Sequence, residues 1–336
     1  MIDRELLRRL PKAELHLHIE GTLEPERLFG LAEKHGVQLP HASTEALAAA
    51  YDFGDLQEFL DLYYAGCDVL RDEEDFYLMT RDYLEVCRAQ NIVRVEIGFD
   101  PQSHTERGLP FSVPYEGIMR ALREAEQEWG LSHGLMLNIV RHLPAASGLQ
   151  VIDQAVDHGA EIMALGLDSS EAPFPPSLFT ECYAKARSLG WKLVAHAGEE
   201  GPAGYVWSAL NNLGVDRIDH GVRSAEDPEL IRYLVDQQVP LTVCPQSNVR
   251  LCVYDHMREH NILEMLEQNV LVTVNSDDPA YFGGYLEENF VEMAEHLGMT
   301  NEQMVALVKN SFRGSFAAPE YVHSQLEAID AVAAGS

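Results

Sequence analysis

The 336-residue chain is 46% hydrophobic and 23% charged, a globular balance that excludes a disordered chain and leaves room for one large core. Its formal net charge of -30 opposes what a phosphate backbone or an anionic membrane surface attracts, so nucleic-acid and membrane partners are not expected. Five widely spaced cysteines without a CxxC pair, a charged rather than apolar opening, and no run near the roughly 18 apolar residues of a membrane span suit a soluble protein of the reducing cytoplasm.

Along the chain, short β-branched runs alternate with longer amphipathic segments. Strands are expected at 13–19, 92–99, 131–140, 162–167, 192–197, 217–221, 240–244 and 270–275. Helical patterns cover 75–89, 115–128, 178–189 and 228–236 between them. Such alternation implies a parallel sheet, and eight strands imply closure into an α/β (β/α)8 TIM barrel, with an open doubly wound sheet as the alternative. The gap between the first two strands exceeds the roughly 25–35 residues of one βα step. It holds further helical patterns at 25–34 and 56–69, so about residues 20–90 are expected as a helical cap over the site. No linker or repeat divides residues 1–336, which are read as a single domain with a tail that frays after about residue 320.

Four motifs carry chemistry. His16-Leu17-His18 lies in the first strand, where alternate residues face one side and both imidazoles suit a divalent cation. Alone, the pattern fits two hydrogen-bonded structural histidines equally well. His196-Ala197-Gly198-Glu199 ends the fifth strand, where the His can hold a metal while the Glu reaches substrate; a strand-end His beside a solvated Glu199–Glu200 pair has the same letters. Asp219-His220-Gly221 ends the sixth, with Gly221 permitting close backbone approach to a ligand, or with His220 simply packed. Asn275-Ser276-Asp277-Asp278-Pro279 follows the eighth; adjacent carboxylates repel and call for a cation or donors, although an Asx turn stopped by Pro279 also fits.

Position decides among these readings. All four motifs fall at C-terminal strand ends, the face on which such barrels carry chemistry, and structural histidines have no reason to gather there. A metal site follows. The chain lacks HExxH, GxxxxGK[ST], GxSxG, a post-strand GxGxxG and PCxxC, which disfavours zincin, P-loop, α/β-hydrolase, dinucleotide and cytidine-deaminase readings.

Pro-Lys-Ala-Glu-Leu-His-Leu-His-Ile-Glu-Gly-Thr from Pro11 to Thr22, together with His-Ala-Gly-Glu at 196–199, Arg-Ile-Asp-His-Gly at 217–221 and Ser-Asp-Asp-Pro at 276–279, resembles the adenosine/adenine deaminase family. The resemblance runs in order from about residue 5 to about residue 320. It implies one zinc ion per chain and hydrolysis of a 6-aminopurine, a small-molecule partner, to the 6-oxo product and ammonia in purine salvage. It makes His16, His18, His196 and Asp277 the zinc ligands, Glu199 the acid that protonates purine N1, and His220 the residue that orients the attacking water and takes its proton. Asp278 would hold N7, and the Gly166 backbone would meet N3.

The segment 276–285, Glu20, and Gly166-Leu-Asp-Ser-Ser-Glu171 are similar to the adenine branch. Glu20 would occupy ribose space, Asp168, Ser169 and Ser170 would face the N3/N9 edge, and Tyr281 and Phe282 would add bulk at the entrance. Phe53, Leu56, Phe59, Leu60 and Tyr63 could form an apolar wall over the purine or ordinary core. Adenosine and modified adenines are the alternative substrates. A binuclear amidohydrolase or phosphotriesterase is the alternative class, but it needs a carboxylated Lys late in a strand, and Lys192 opens the fifth.

Overall fold

Eight parallel strands run around the molecule in chain order: β1 (Lys12–Glu14), β2 (Ile92–Phe99), β3 (Ser132–Val140), β4 (Ala164–Asp168), β5 (Lys192–Ala197), β6 (Arg217–His220), β7 (Leu241–Val243) and β8 (Val272–Val274). The computed structural model describes residues 2–51 and 53–335. Each strand pairs in parallel with the next, and helices lie between successive strands, so the fold is the expected (β/α)8 barrel. Strands covered on both faces bury nearly every position, as β2 does.

The first strand is shorter than its apolar run suggests. Regular pairing stops at Glu14, and the residues beyond it join two neighbours instead of one ladder. The His18 N–H donates to the Asp277 carbonyl at 3.0 Å, the Asp277 N–H to the His16 carbonyl at 3.2 Å, and the Gly98 N–H to the Leu17 carbonyl at 2.8 Å. The Leu15 N–H donates to Asn275 Oδ1 at 2.9 Å. The histidine segment thus joins β8 to β2, and it brings Asp277 beside His16 and His18.

Deeper in the barrel, Glu96 on β2 accepts from Arg94 at 2.6 Å and from Arg217 on β6 at 2.5 Å. All three side chains are buried, so the charges offset one another where water is absent. Between β1 and β2 stand helices Pro25–His35, Thr44–Ala48, Leu56–Cys67 and Glu73–Ala89. The last begins with a capping box between Asp72 and Asp75. Helix Leu56–Cys67 crosses the C-terminal strand ends.

The C-terminal tail does not fray where the sequence suggested it. Residues Pro319–Ala334 form a helix that docks through fully buried Ile329, and the Tyr321 hydroxyl donates to the Val93 carbonyl at 3.0 Å. Among the described residues, no helix is long and apolar enough to cross a membrane.

Candidate metal centre and active cleft

The four motifs converge as their strand ends require. The ring centroids of His16 and His196 lie 4.7 Å apart, those of His18 and His196 5.2 Å, and those of His16 and His220 4.6 Å. Asp277 Oδ1 lies 3.1 Å from His16 Nε2 and 3.4 Å from His18 Nε2. His220 and Asp277 hold positive φ values of 60° and 66°, a left-handed conformation that non-glycine residues rarely adopt and that concentrates at functional sites.

These residues fit a zinc ion by their donor chemistry. His16 Nδ1 lies 3.1 Å from the Thr242 carbonyl, which accepts its proton and leaves Nε2 with a free lone pair. That Nε2 is buried and has no protein partner. Burial and the neighbouring His16 ring hold His196 well below the usual histidine range, so it is neutral, as a ligand must be. Asp277 supplies the carboxylate of the set, with its Oδ1 beside both His16 and His18. Ligand atoms of His16, His18 and His196 all lie within 4.8 Å of one another.

Two further carboxyl groups, Glu199 and Asp278, face the same cleft. Burial, with Asp277 and Glu171 nearby, pushes Glu199 well above its ordinary range. Burial and adjacent Asp277 do the same to Asp278 against the pull of His18. Glu199 Oε1 and Asp278 Oδ1 are buried without a partner. Glu171 fixes the Glu199 loop by accepting from the N–H groups of Gly198, Glu199 and Gly201 at 2.7, 3.0 and 2.8 Å.

His220 was expected both to orient water and to take its proton, and its hydrogen bonds bear on the first of these roles. The Ile262 N–H donates to His260 Nδ1 at 3.2 Å, and burial lowers His260 to about 3, so its proton sits on Nε2. Nε2 therefore donates to Asn248 Oδ1 at 3.2 Å, and the Asn248 amide turns its N–H₂ to His220 Nδ1 at 3.3 Å. Burial lowers His220 to about 3, against the pull of Asp277. The neutral ring thus carries its proton on Nε2, 3.5 Å from Glu199 Oε2, and offers the cleft a donor rather than a base.

The cleft is narrow, with a cavity volume of about 30 Å³ beside the donor set. Leu56, Phe59, Leu60 and Tyr63 line it, so this part of the suspected wall is a wall. Phe53 instead packs on Phe59 at 5.4 Å, behind it. Tyr281 and Phe282 do not narrow the entrance. They are buried against Phe59, 5.5 and 4.7 Å between centroids, and hold the cap helix down.

Of the residues expected at the N3/N9 edge, Asp168 and Ser169 line the cleft. Three others do not. Glu20 is buried outside the wall, where Oε1 accepts from His104 Nε2 at 2.8 Å and from the Asp100 N–H at 3.1 Å; its extra methylene reaches that pair instead of a ribose volume. Gly166 does not line the cleft, and a Cβ there would stand 2.1 Å from Asn138 Oδ1, so packing requires the glycine. Ser170 turns outward to Gln57 at 3.2 Å.

Sequence reasoning missed Asp100, Tyr64 and Leu251 in the wall and Asn138, His142, Asn248 and His260 behind it. Asp100 was findable, since it follows β2 at the same C-terminal barrel face. The others belong to no motif.

An eight-stranded parallel barrel with three His and one Asp converging at its C-terminal face defines a hydrolase scaffold built around a metal-type donor set. The adenosine deaminase family profile matches residues 11–332. An adenine deaminase of Ectopseudomonas mendocina (strain ymp) is 58% identical over 305 residues, 91% of this chain and 97% of that protein. The crystal structure of an adenine deaminase from Arthrobacter aurescens superposes with a TM-score of 0.95 at 46% identity, covering 97% of this chain and 99% of that one. A zinc-bound amidohydrolase from Burkholderia ambifaria gives a TM-score of 0.91 at 25% identity, with 99% and 94% covered. The chain belongs to the adenosine/adenine deaminase family, in its adenine deaminase branch.

Proposed function

We propose that this protein hydrolyses adenine to hypoxanthine and ammonia, using one zinc ion held by His16, His18, His196 and Asp277, as part of purine salvage. One observation carries the reading. Two buried carboxyl groups, Glu199 and Asp278, face the cleft beside the donor set, each with an oxygen that makes no hydrogen bond in the protein and each pushed above its ordinary range by burial. Adenine presents two acceptor nitrogens, N1 and N7, on either side of its C6 amino group. Two neutral acids match those two acceptors; two carboxylates would repel them.

When bound, zinc supplies Lewis-acid charge and makes water acidic enough to act as a nucleophile near neutral pH. Glu199 gives its proton to N1, which makes C6 electrophilic; of the two protons of the attacking water, one returns to the Glu199 carboxylate and the other passes to N6, which leaves as ammonia. Asp278 donates to N7 and orients the ring. The His220 Nε2–H donates to the incoming oxygen and aims it at C6. Helix Leu56–Cys67 covers the ring with Leu56, Phe59 and Leu60 and excludes bulk water.

The test is a direct comparison of kcat/KM for adenine, adenosine and N6-substituted adenines on zinc-loaded protein. Adenine is expected to exceed adenosine by about 10⁴-fold, the scale on which a site built for one hydrogen-bonding group rejects an analogue lacking it. An adenosine value equal to or above that for adenine overturns the assignment.

A further inference from the structure

We propose that Asp100, just beyond β2, is a specificity-determining residue that accepts the imidazole N–H of the free base and so separates a base from its nucleoside. The inference rests on the purine reading above and names the part of the cleft that reads N9. With N1 toward Glu199 and N7 toward Asp278, the remaining N3/N9 edge faces the other part of the wall. Asp100, Asp168, Ser169 and Tyr64 are the polar lining groups left for that edge once Glu199, Asp278, His220 and the donor set are assigned.

Asp100 and Asp168 each keep a buried Oδ1 without a hydrogen-bond partner, and what separates them is how the rest of each carboxyl is used. The Tyr64 hydroxyl donates to Ser169 Oγ at 3.0 Å, and His142 Nδ1 reaches the same oxygen at 2.8 Å. Asp168 Oδ2 accepts from Asn138 at 2.8 Å and lies 3.3 Å from His18 Nδ1, so that carboxyl orients a ligand histidine. Asp100 is held differently. Its N–H is fixed by Glu20, and its Oδ2 accepts from the Tyr63 hydroxyl at 3.3 Å. Its Oδ1, on a side chain only 2% exposed, has no hydrogen-bond partner.

That oxygen needs a donor, and the cleft wall contains no Lys or Arg to provide one. Asp100 and Asp168 crowd together, their ligand-type atoms within 4.8 Å of each other and of His18. Two carboxyl groups so close repel unless a donor comes between them or a proton is shared. Free adenine brings an N–H at N9. A nucleoside has a glycosidic carbon there and would leave the buried acceptor unpaired. The distance from Asp100 Oδ1 to His18 Nδ1, 3.9 Å, leaves that histidine to Asp168 and leaves Oδ1 for the ligand.

The test uses the zinc-loaded protein with adenine and with 9-methyladenine, which lacks only the N9 proton and adds one methyl. Wild type is expected to prefer adenine strongly. Asp100→Ala should lower kcat/KM for adenine about 10–100-fold, mainly through KM, and weaken hypoxanthine inhibition alike. Activity on 9-methyladenine should hold or rise, so the preference collapses. Tyr63→Phe, which removes only the Oδ2 partner, should keep the preference. Should Asp100→Ala fail to fold, Asp100→Asn, of the same shape but with a weaker neutral acceptor, is expected to reduce the preference in the same direction.

A preference that survives these substitutions overturns the proposal. So does metal analysis showing a second equivalent of zinc that Asp100→Ala removes, which would make Asp100 a ligand. A wild type inactive on adenine is a separate result, and it overturns the parent reading.

Discussion

Gly21 and Asp278 touch so closely that a Cβ on Gly21 would stand 2.0 Å from Asp278 Oδ1 and 2.7 Å from Asp278 Cα. The turn Ile19–Thr22, which follows the histidine segment, therefore packs directly on Asp278, the acid proposed to meet N7. Because a backbone atom is among the clashing groups, no side-chain rotation relieves the overlap. Gly21→Ala should move Asp278, cost about 1–3 kcal/mol of stability as an overpacked site does, and lower kcat/KM by more than the lost stability explains. Thermal unfolding measured alongside turnover checks this. A Gly21→Ala enzyme with wild-type kcat/KM would show that the position of Asp278 does not matter.

Glu199→Gln should keep the fold and the metal but lower kcat by about 10²–10⁴-fold, because an amide cannot give up a proton to N1. The raised position of Glu199 sets two pH signs. In wild type the acid must hold its proton to serve N1, so activity falls as pH rises through its raised folded-state value. Its contribution to stability is complete below the ordinary carboxylate range and is lost as pH rises through that same folded-state value, since the unfolded chain releases the proton first. The Gln variant escapes that loss. Its stability relative to wild type should therefore improve from acid toward alkaline pH, read as the difference in unfolding midpoints. Near-normal kcat in the variant would remove Glu199 from the mechanism.

His16→Ala and Asp277→Ala should lose zinc itself, with activity tracking residual metal content. Wild type should hold about one equivalent per chain, and a chelator should lower its unfolding midpoint, because a metal bound only by the folded state stabilises that state by mass action. Elemental analysis of purified protein reads all of this. Two equivalents at equal occupancy would point to a binuclear hydrolase.

The sequence by itself determined the barrel and which residues gather at its C-terminal face, because these depend on short-range chemistry. Strand periodicity placed β2 and β5 at their observed bounds, 92–99 and 192–197. Strand ends carrying His, Glu and Asp can meet in only one place once eight strands close, so His16, His18, His196, Glu199, His220, Asp277 and Asp278 were legible as one constellation. What the tertiary structure decided is which neighbour each polar atom faces. Glu20 reads as a ribose-side residue until His104, 84 positions away, is seen to hold it. Gly166 reads as a backbone contact until Asn138 is found filling its open side. The tautomer of His220 is set by Asn248 and His260, which no motif contains. Spacing along a strand says which side a residue faces, but hydrogen-bond partners across a barrel come from separate strands and loops, and only the packed fold brings them together.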